Sequence, residues 1–400
     1  MSRLNRLLAV SFLESVAILL VQRGVFFFAH ERLKFDDVQN LWLGAAAGVC
    51  YVVGALSGHR VTRLFAEKHT LLSLFALQIL CCLIMAMFNE SAAIITVGTA
   101  LIFAFNGMKW AIIESFLTAG QTLERTARIV GMFNVSWSLA VPVGVAAAGP
   151  LITWGDSALF LAGLPLSVIS MLLILPLEQR PQHLPEDHAQ RPRQQIERFR
   201  SLLTSARWSL LHSYCLMFLL APLLPEIFQQ RLGFSVRWAP AMSSLMDVAR
   251  FAAFVFMTQT TFWHGRAGIP VLVALLMPST FFLVLLGGSV PVVVGGAIVF
   301  GFTMGLGYNA ALYYAMVVSN GSVDGGGGHE SMVGMGFAGG PLSGLLGKAC
   351  AALTGKATLG MVLGILPAMS VCSVGALWPL LRLRQARAEP QPVVSQREAL

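Results

Sequence analysis

Seven ionisable side chains sit inside long apolar runs of this 400-residue chain: Glu14, Arg23, Lys109, Glu114, Asp247, Arg250 and Lys348. A charged group facing lipid costs at least a few kcal/mol, so each is expected to point into protein and to take part in function. The chemistry open to such a set is proton exchange on a buried carboxylate, recognition of a polar solute, and the making and breaking of ion pairs. Glu14 lies about seven residues above the near end of the first apolar run and Lys109 about eight above that of the fourth, so at helical rise both sit roughly 10 to 12 Å deep. Arg23 follows Glu14 by nine residues, about 180° round an ideal helix. The two share a cavity only if the helix is distorted near Gly24; otherwise Arg23 snorkels outward. Asp247 and Arg250, at i and i+3, share a helix face and pair. With Lys348 at similar depth they form either an outer gate or a static bridge.

Weaker polar groups on the same runs are Gln22, Asn106, His212, Tyr214, Tyr308, Asn309, Tyr313 and Tyr314. Tyrosine offers apolar area with one hydroxyl, which suits a moderately polar organic solute, although each such residue serves equally well as packing. His329-Glu330 lacks the second histidine of a zinc-protease helix, and Glu330 is expected to complement the N-terminal dipole of the eleventh helix as a cap. No metal ligand set and no cofactor are expected. All six cysteines, Cys50, Cys81, Cys82, Cys215, Cys350 and Cys372, fall inside apolar runs without C-x-x-C spacing and read as free thiols.

The elements that must hold these groups are membrane helices. Apolar residues make up 56% of the chain and charged ones 12%, where soluble domains carry about a quarter charged. Twelve windows approach the roughly 20 residues a crossing needs: 7–29, 38–57, 69–88, 92–117, 129–153, 157–177, 208–229, 239–262, 269–287, 290–317, 331–353 and 358–381. Runs such as Leu71 to Met87 are apolar on every side, which excludes a β-barrel. Arg3 and Arg6 before the first run imitate a signal peptide, but Glu14 and the length of the run favour a retained helix. With a cytoplasmic N-terminus, eighteen basic residues fall on the inner side and five on the outer, so both termini are expected inside. The net charge of +8 then reflects topology, and no nucleic-acid partner is expected. Trp154, Trp208, Trp238, Trp263 and Trp378 at span ends read as interfacial anchors.

The polar stretch 178–207 divides the chain into a six-helix unit over 1–177 and another over 208–381, with a surface helix at 194–205 and a disordered cytoplasmic tail over 382–400. Ala100-Leu-Ile-Phe-Ala-Phe105 in the fourth span matches Ala297-Ile-Val-Phe-Gly-Phe302 in the tenth, the trace expected of a duplicated unit with a site between its copies. Gly44 and Gly48 form G-x-x-x-G, Gly144 and Gly149 occupy span five, and Gly334, Gly336, Gly339, Gly340, Gly344 and Gly347 crowd span eleven. Small residues let helices approach closely, as static packing or as a sliding surface.

Twelve helices in a 6+6 split with a central linker resemble the major facilitator superfamily of secondary transporters over nearly the whole chain. The loop signature of that family, G-x-x-x-D-R/K-x-G-R/K-R/K, survives only in altered form as Gly54-Ala-Leu-Ser-Gly-His-Arg-Val-Thr-Arg63, with Gly58 and Val61 replacing the acidic residue and second glycine while Arg60 and Arg63 remain. The resemblance implies a gating role for those arginines. A poorly characterised bacterial branch of the family is resembled by Trp110-Ala-Ile-Ile-Glu114, by Arg128-Ile-Val-Gly-Met-Phe-Asn-Val-Ser-Trp-Ser138 and by His329-Glu330 before glycines. In the resembled fold helices one and four line one cavity, which implies a Glu14–Lys109 pair serving substrate or proton, or a structural bridge. Glu114 is expected to meet Arg125 or Arg128 as a cytoplasmic latch.

The resemblance implies a monomeric, proton-coupled secondary transporter of a small organic solute in a bacterial inner membrane, with a lipid flippase or a non-transporting receptor as alternatives. No Walker A motif is present, so ATP would not power it from within this chain. No converging catalytic cluster suggests an enzyme. Four basic against three acidic membrane charges assign no sign to the cargo.

Overall fold

The structure, a computed structural model, describes residues 2–183 and 193–388 and is helical throughout. The first part holds α1 (Arg3–Gln22), α2 (Gly24–Glu31), α3 (Asp37–Phe65), α4 (Glu67–Met87), α5 (Ala92–Thr118), α6 (Leu123–Trp154), α7 (Ala158–Leu161) and α8 (Leu164–Ile174). The second holds α9 (Arg193–Pro225), continued by a π-helical turn over Glu226–Arg231, then α10 (Ala239–Ser243), α11 (Leu245–Thr258), α12 (Gly268–Leu286), α13 (Val290–Ser319), α14 (Val323–Thr354) and α15 (Ala357–Ala388).

Local chemistry sets the starts and stops. Asp36 and Gln39 form a reciprocal capping box at α3, and Ser91, Thr122 and Ser322 cap α5, α6 and α14 through their hydroxyls. Ala66, at φ 62°, is the only residue between α3 and α4. The stretch Gly54–Arg63, expected as a loop, is therefore the last turns of α3, with Arg60 and Arg63 exposed on it. The expected surface helix at 194–205 is likewise not separate, because α9 runs unbroken from Arg193 into the following apolar segment. The C-terminal helix continues past Leu381 to Ala388, and the rest of the expected tail lies outside the described residues.

Among the described residues, ten helices or joined helix pairs are long and apolar enough to cross a membrane. Of the twelve expected spans, the sixth is a shorter apolar pair over Ala158–Ile174, and the eleventh is α14, long but carrying Asp324, His329, Glu330 and Lys348. Helix neighbours repeat between the two parts: α3 packs on α5 as α11 does on α13, α1 on α6 as α9 on α14, α1 on α8 as α9 on α15, and α4 on α5 as α12 on α13. The matched hexapeptides sit at equivalent contacts. A Cβ on Gly54 would lie 1.9 Å from the Ala104 carbonyl, and a Cβ on Gly301, the residue aligned with Ala104, would lie 1.9 Å from that of Met246.

Between the two parts, α3 lies along α14 and α6 along α10 and α11. A Cβ on Gly48 would come within 2.2 Å of the Ala338 backbone nitrogen, so α3 and α14 touch backbone to backbone. Gly336 and Gly340 face α9 instead, packing the second part internally. Gly48→Val is expected to lower stability by about 1–3 kcal/mol, since backbone cannot yield as a side chain can. Gly339→Ala, whose Cβ meets only Cys215 Sγ at 3.7 Å, is the control, and thermal melting in detergent compares them. Equal melting would mean that this helix contact is loose.

Candidate functional site

Among the described residues, two buried polar systems stand out, one within the first part and one between the parts. In the first, Glu14 and Lys109 are both 0% exposed and form an ion pair, as the depth of each and the family resemblance lead one to expect. Gln78 on α4 completes the arrangement: its amide nitrogen donates to Glu14 Oε1 at 2.8 Å while its oxygen accepts from Lys109 Nζ. Ser167 on α8 donates to Glu14 Oε2 at 3.1 Å. Lys109 Nζ also lies 4.9 Å from the centre of the Phe75 ring. All five residues belong to α1, α4, α5 and α8, and none lines the cavity between the two parts.

That cavity has a volume of about 80 Å³ and is walled from both sides, by Gln22 and Arg23 of the first helix pair, Tyr51, Trp110, Phe133 and Trp137 from the first part, and Tyr214, Phe218, Arg250, Tyr308, Glu330 and Phe337 from the second. Its walls are mainly aromatic, with rings such as Trp137–Tyr308 at 5.1 Å and Phe218–Phe337 at 3.8 Å. One end of the molecule closes through Lys348–Asp37 at 2.6 Å and through Asn40 donating to the Pro222 carbonyl at 3.5 Å. Toward the other end, Asn134 donates to Asn309 Oδ1 at 2.8 Å and Thr118 reaches Met316 Sδ at 3.5 Å.

Arg23 does not snorkel. The first helix breaks between Gln22 and Gly24, and Arg23, 1% exposed, turns to Asp247 of the second part at 3.7 Å. Asp247 binds Arg250 at 2.8 Å, as the i, i+3 spacing predicts. Lys348 does not join them; it reaches Asp37 at the N-terminus of α3, because α14 runs beside that helix. Glu114 does not latch onto Arg125 or Arg128, which are exposed at the start of α6. It is 1% exposed and faces α14, where Gly326 leaves room beside its Oε2. Glu330 is no cap: α14 begins at Val323, two turns earlier, because Ser322 supplies the cap. Glu330 instead accepts a hydrogen bond from the Tyr51 hydroxyl across the interface.

Glu114, Glu330 and His329 each bring one ligand atom within 4.8 Å of the others, all fully buried, at a spacing that could hold a metal ion or a shared proton. Both His329 nitrogens lack hydrogen-bond partners, and the Glu114 carboxyl has the Glu330 carboxyl as its neighbour. The Tyr308 ring stands edge-on to His329 at 5.0 Å.

Of the remaining expected residues, Gln22 and Tyr308 line the cavity, whereas Asn309 and Tyr313 line a separate cleft with His264 and Arg128. Asn106 is buried in α5 with both amide atoms unpartnered, away from the cavity. Trp154, Trp238 and Trp378 are exposed as anchors would be, but Trp263 is buried, donating to the Met257 and Thr260 carbonyls, and Trp208 is half-buried against Gly375. Tyr51 and Trp137 at the cavity and Gln78 in the Glu14 network are residues that ionisable-group counting passes over. Trp137 was within reach, since it lies in the Phe133–Ser138 motif.

A polytopic helical membrane protein whose two parts repeat one contact pattern around a closed, partly charged cavity has the construction of a membrane transporter. The chain belongs to the Major Facilitator Superfamily, whose family model matches residues 4–326, and it is accordingly a transporter of that type rather than an enzyme. Its fold is similar to that of the human organic anion transporter MFSD10 (TETRAN), at TM-score 0.66 and 16% identity over 96% of this chain and 100% of that one. It is also similar to the E. coli fucose:proton symporter FucP, at TM-score 0.62 and 14% identity over 94% and 98% of the two chains. A FucP structure in the outward conformation gives TM-score 0.63 and 14% identity over 95% and 99%. No curated protein matches the sequence.

Proposed function

We propose that this chain carries a small organic solute across a bacterial inner membrane by alternating access, coupled to protons, as a monomer of twelve transmembrane helices. In this reading residues 1–177 and 208–381 are six-helix bundles, 178–207 is a cytoplasmic linker, and both termini are cytoplasmic. The carrying observation is that the buried charges bridge the two parts at the cavity: Tyr51 to Glu330, Glu114 beside Glu330, and Arg23 to Asp247. Separation of the parts breaks these contacts, so whatever occupies them governs the conformational equilibrium.

The proton is assigned to Glu114 and Glu330 rather than to Glu14. Two carboxylates sharing a buried site cannot both ionise, so the closed state favours at least one bound proton. The groups facing the pair are Tyr51 from α3, His329 on the same helix, Tyr308 from α13 and Tyr214 from α9, with Arg207 of α9 beside His329 and Gly328 instead. Two carboxylates and one imidazole fall short of the four ligands of a closed zinc site. Glu14, by contrast, has a donor on each oxygen from within the first part, and bundle separation leaves those bonds intact. Asp37–Lys348 acts as the outer gate in this reading, and Asp247 with Arg250 acts at the cavity. Arg60 and Arg63 remain available to the cytoplasmic surface, and the fucose symporter of similar fold is proton-coupled by name.

Uptake of a mixed panel of labelled organic solutes into proteoliposomes is the test. An inwardly directed proton gradient is expected to drive accumulation, and clamping the pH is expected to abolish it. A panel in which nothing moves under either condition overturns transport and favours the receptor alternative.

A further inference from the structure

Three buried charges meet at one end of the cavity and do not balance. Arg23 and Arg250 are 1% and 3% exposed and share Asp247, which binds Arg250 Nη2 at 2.8 Å and lies 3.7 Å from Arg23 Nη1. Arg23 Nε, Nη1 and Nη2, Arg250 Nε and Gln22 Nε2 have no hydrogen-bond partner, nor has Asp247 Oδ2. Gln22, Arg23 and Arg250 all border the cavity. A guanidinium withdrawn from water without its hydrogen bonds is strongly destabilising, and one carboxylate cannot satisfy two such cations. These donors suit a second anion with two acceptor oxygens, the shape that matches a guanidinium fork.

We propose that this end of the cavity binds the carboxylate of a small organic monoanion, held by Arg23, Arg250 and Gln22 with its apolar body against the aromatic wall. The inference rests on the transporter reading and names its substrate class. The Arg250 guanidinium is 4.9 Å from the centre of the Trp137 ring, which borders the same cavity, so that indole is a reporter of binding. Size follows from the cavity, at about 80 Å³. An engineered cavity of about 150 Å³ admits benzene, so the body in this conformation is limited to a few carbon atoms. Glu330 lies in the same cavity but forms no ion pair with either arginine among the described residues, so a carboxylate substrate and a protonated Glu330 fit together without competing for one site.

The test uses the purified full chain in detergent with acetate, propionate and butyrate, each against its own amide. Carboxylates at millimolar concentration are expected to raise the melting temperature and change tryptophan fluorescence, and the amides to do neither. Arg23→Gln removes the surplus cation and leaves the Asp247–Arg250 pair whole. It is expected to melt no lower than the parent without ligand, and to bind carboxylates roughly ten- to hundredfold more weakly. Arg23→Lys should retain part of the response. Amides that bind as well as their acids, no response to any acid, or an Arg23→Gln protein that binds unchanged would each overturn the proposal; so would one that fails to fold, since Arg23 would then be a structural cation. The two readings fail separately. Gradient-driven uptake of neutral solutes alone would leave transport standing without the anion site, whereas acid binding without any uptake would leave the site without transport.

Discussion

Glu330→Gln is expected to abolish proton-driven accumulation while leaving exchange intact. Glutamine keeps the shape of the side chain and an acceptor for the Tyr51 hydroxyl, so the contact between α3 and α14 survives. What it removes is a titratable group, and with it the like-charge conflict with Glu114. A gradient of one pH unit coupled to one proton is worth about 1.4 kcal/mol, enough for roughly tenfold accumulation. In proteoliposomes the parent should approach that ratio, and the variant should stop at equal concentrations inside and out. Counterflow at equal pH needs no proton movement and should change by only a few-fold. A variant that still accumulates would move the proton site elsewhere, with Glu14 the next carboxylate to examine.

How much was legible in the sequence depended on whether a feature was local or not. Ten of the twelve span positions were, because an apolar run of the right length has few alternatives in a membrane. The Asp247–Arg250 pair was legible from its i, i+3 spacing, and Glu14–Lys109 from matching depth together with a family resemblance. Long-range partners were not. Lys348 and Asp37 are 311 residues apart, and only the packing of α14 on α3 brings them together. Glu330 looked like a cap because apolar windows place the helix start at 331, whereas the glycine-rich stretch Gly325–Gly328 proves helical behind Ser322. Glycines there lower helix propensity but admit the backbone of Ala111 and Ala55 at close range, so tertiary packing overrides the local preference. For Arg23 the sequence leaves two outcomes open, a distortion near Gly24 or outward snorkelling, and the break between Gln22 and Gly24 decides for the first without bringing Glu14 into the same cavity.

Lys109→Met should produce the largest loss of stability of any single change here. It leaves Glu14, 0% exposed, without its cation, while Gln78 loses the partner of its amide oxygen. Breaking one side of a buried ion pair is destabilising by about 3–5 kcal/mol, since the surviving charge stays out of water. Glu14→Gln in the same background removes that orphaned charge, so the double variant should recover most of the loss; the cycle isolates the coupling between the two groups. Thermal melting of the four proteins in detergent reads it directly. The same four proteins separate a staple from a switch. If the network only holds α1, α4, α5 and α8 together, the double variant will fold and still accumulate solute on a proton gradient. If it folds but loses accumulation while keeping counterflow, Glu14 carries the proton, and the assignment to Glu114 and Glu330 falls.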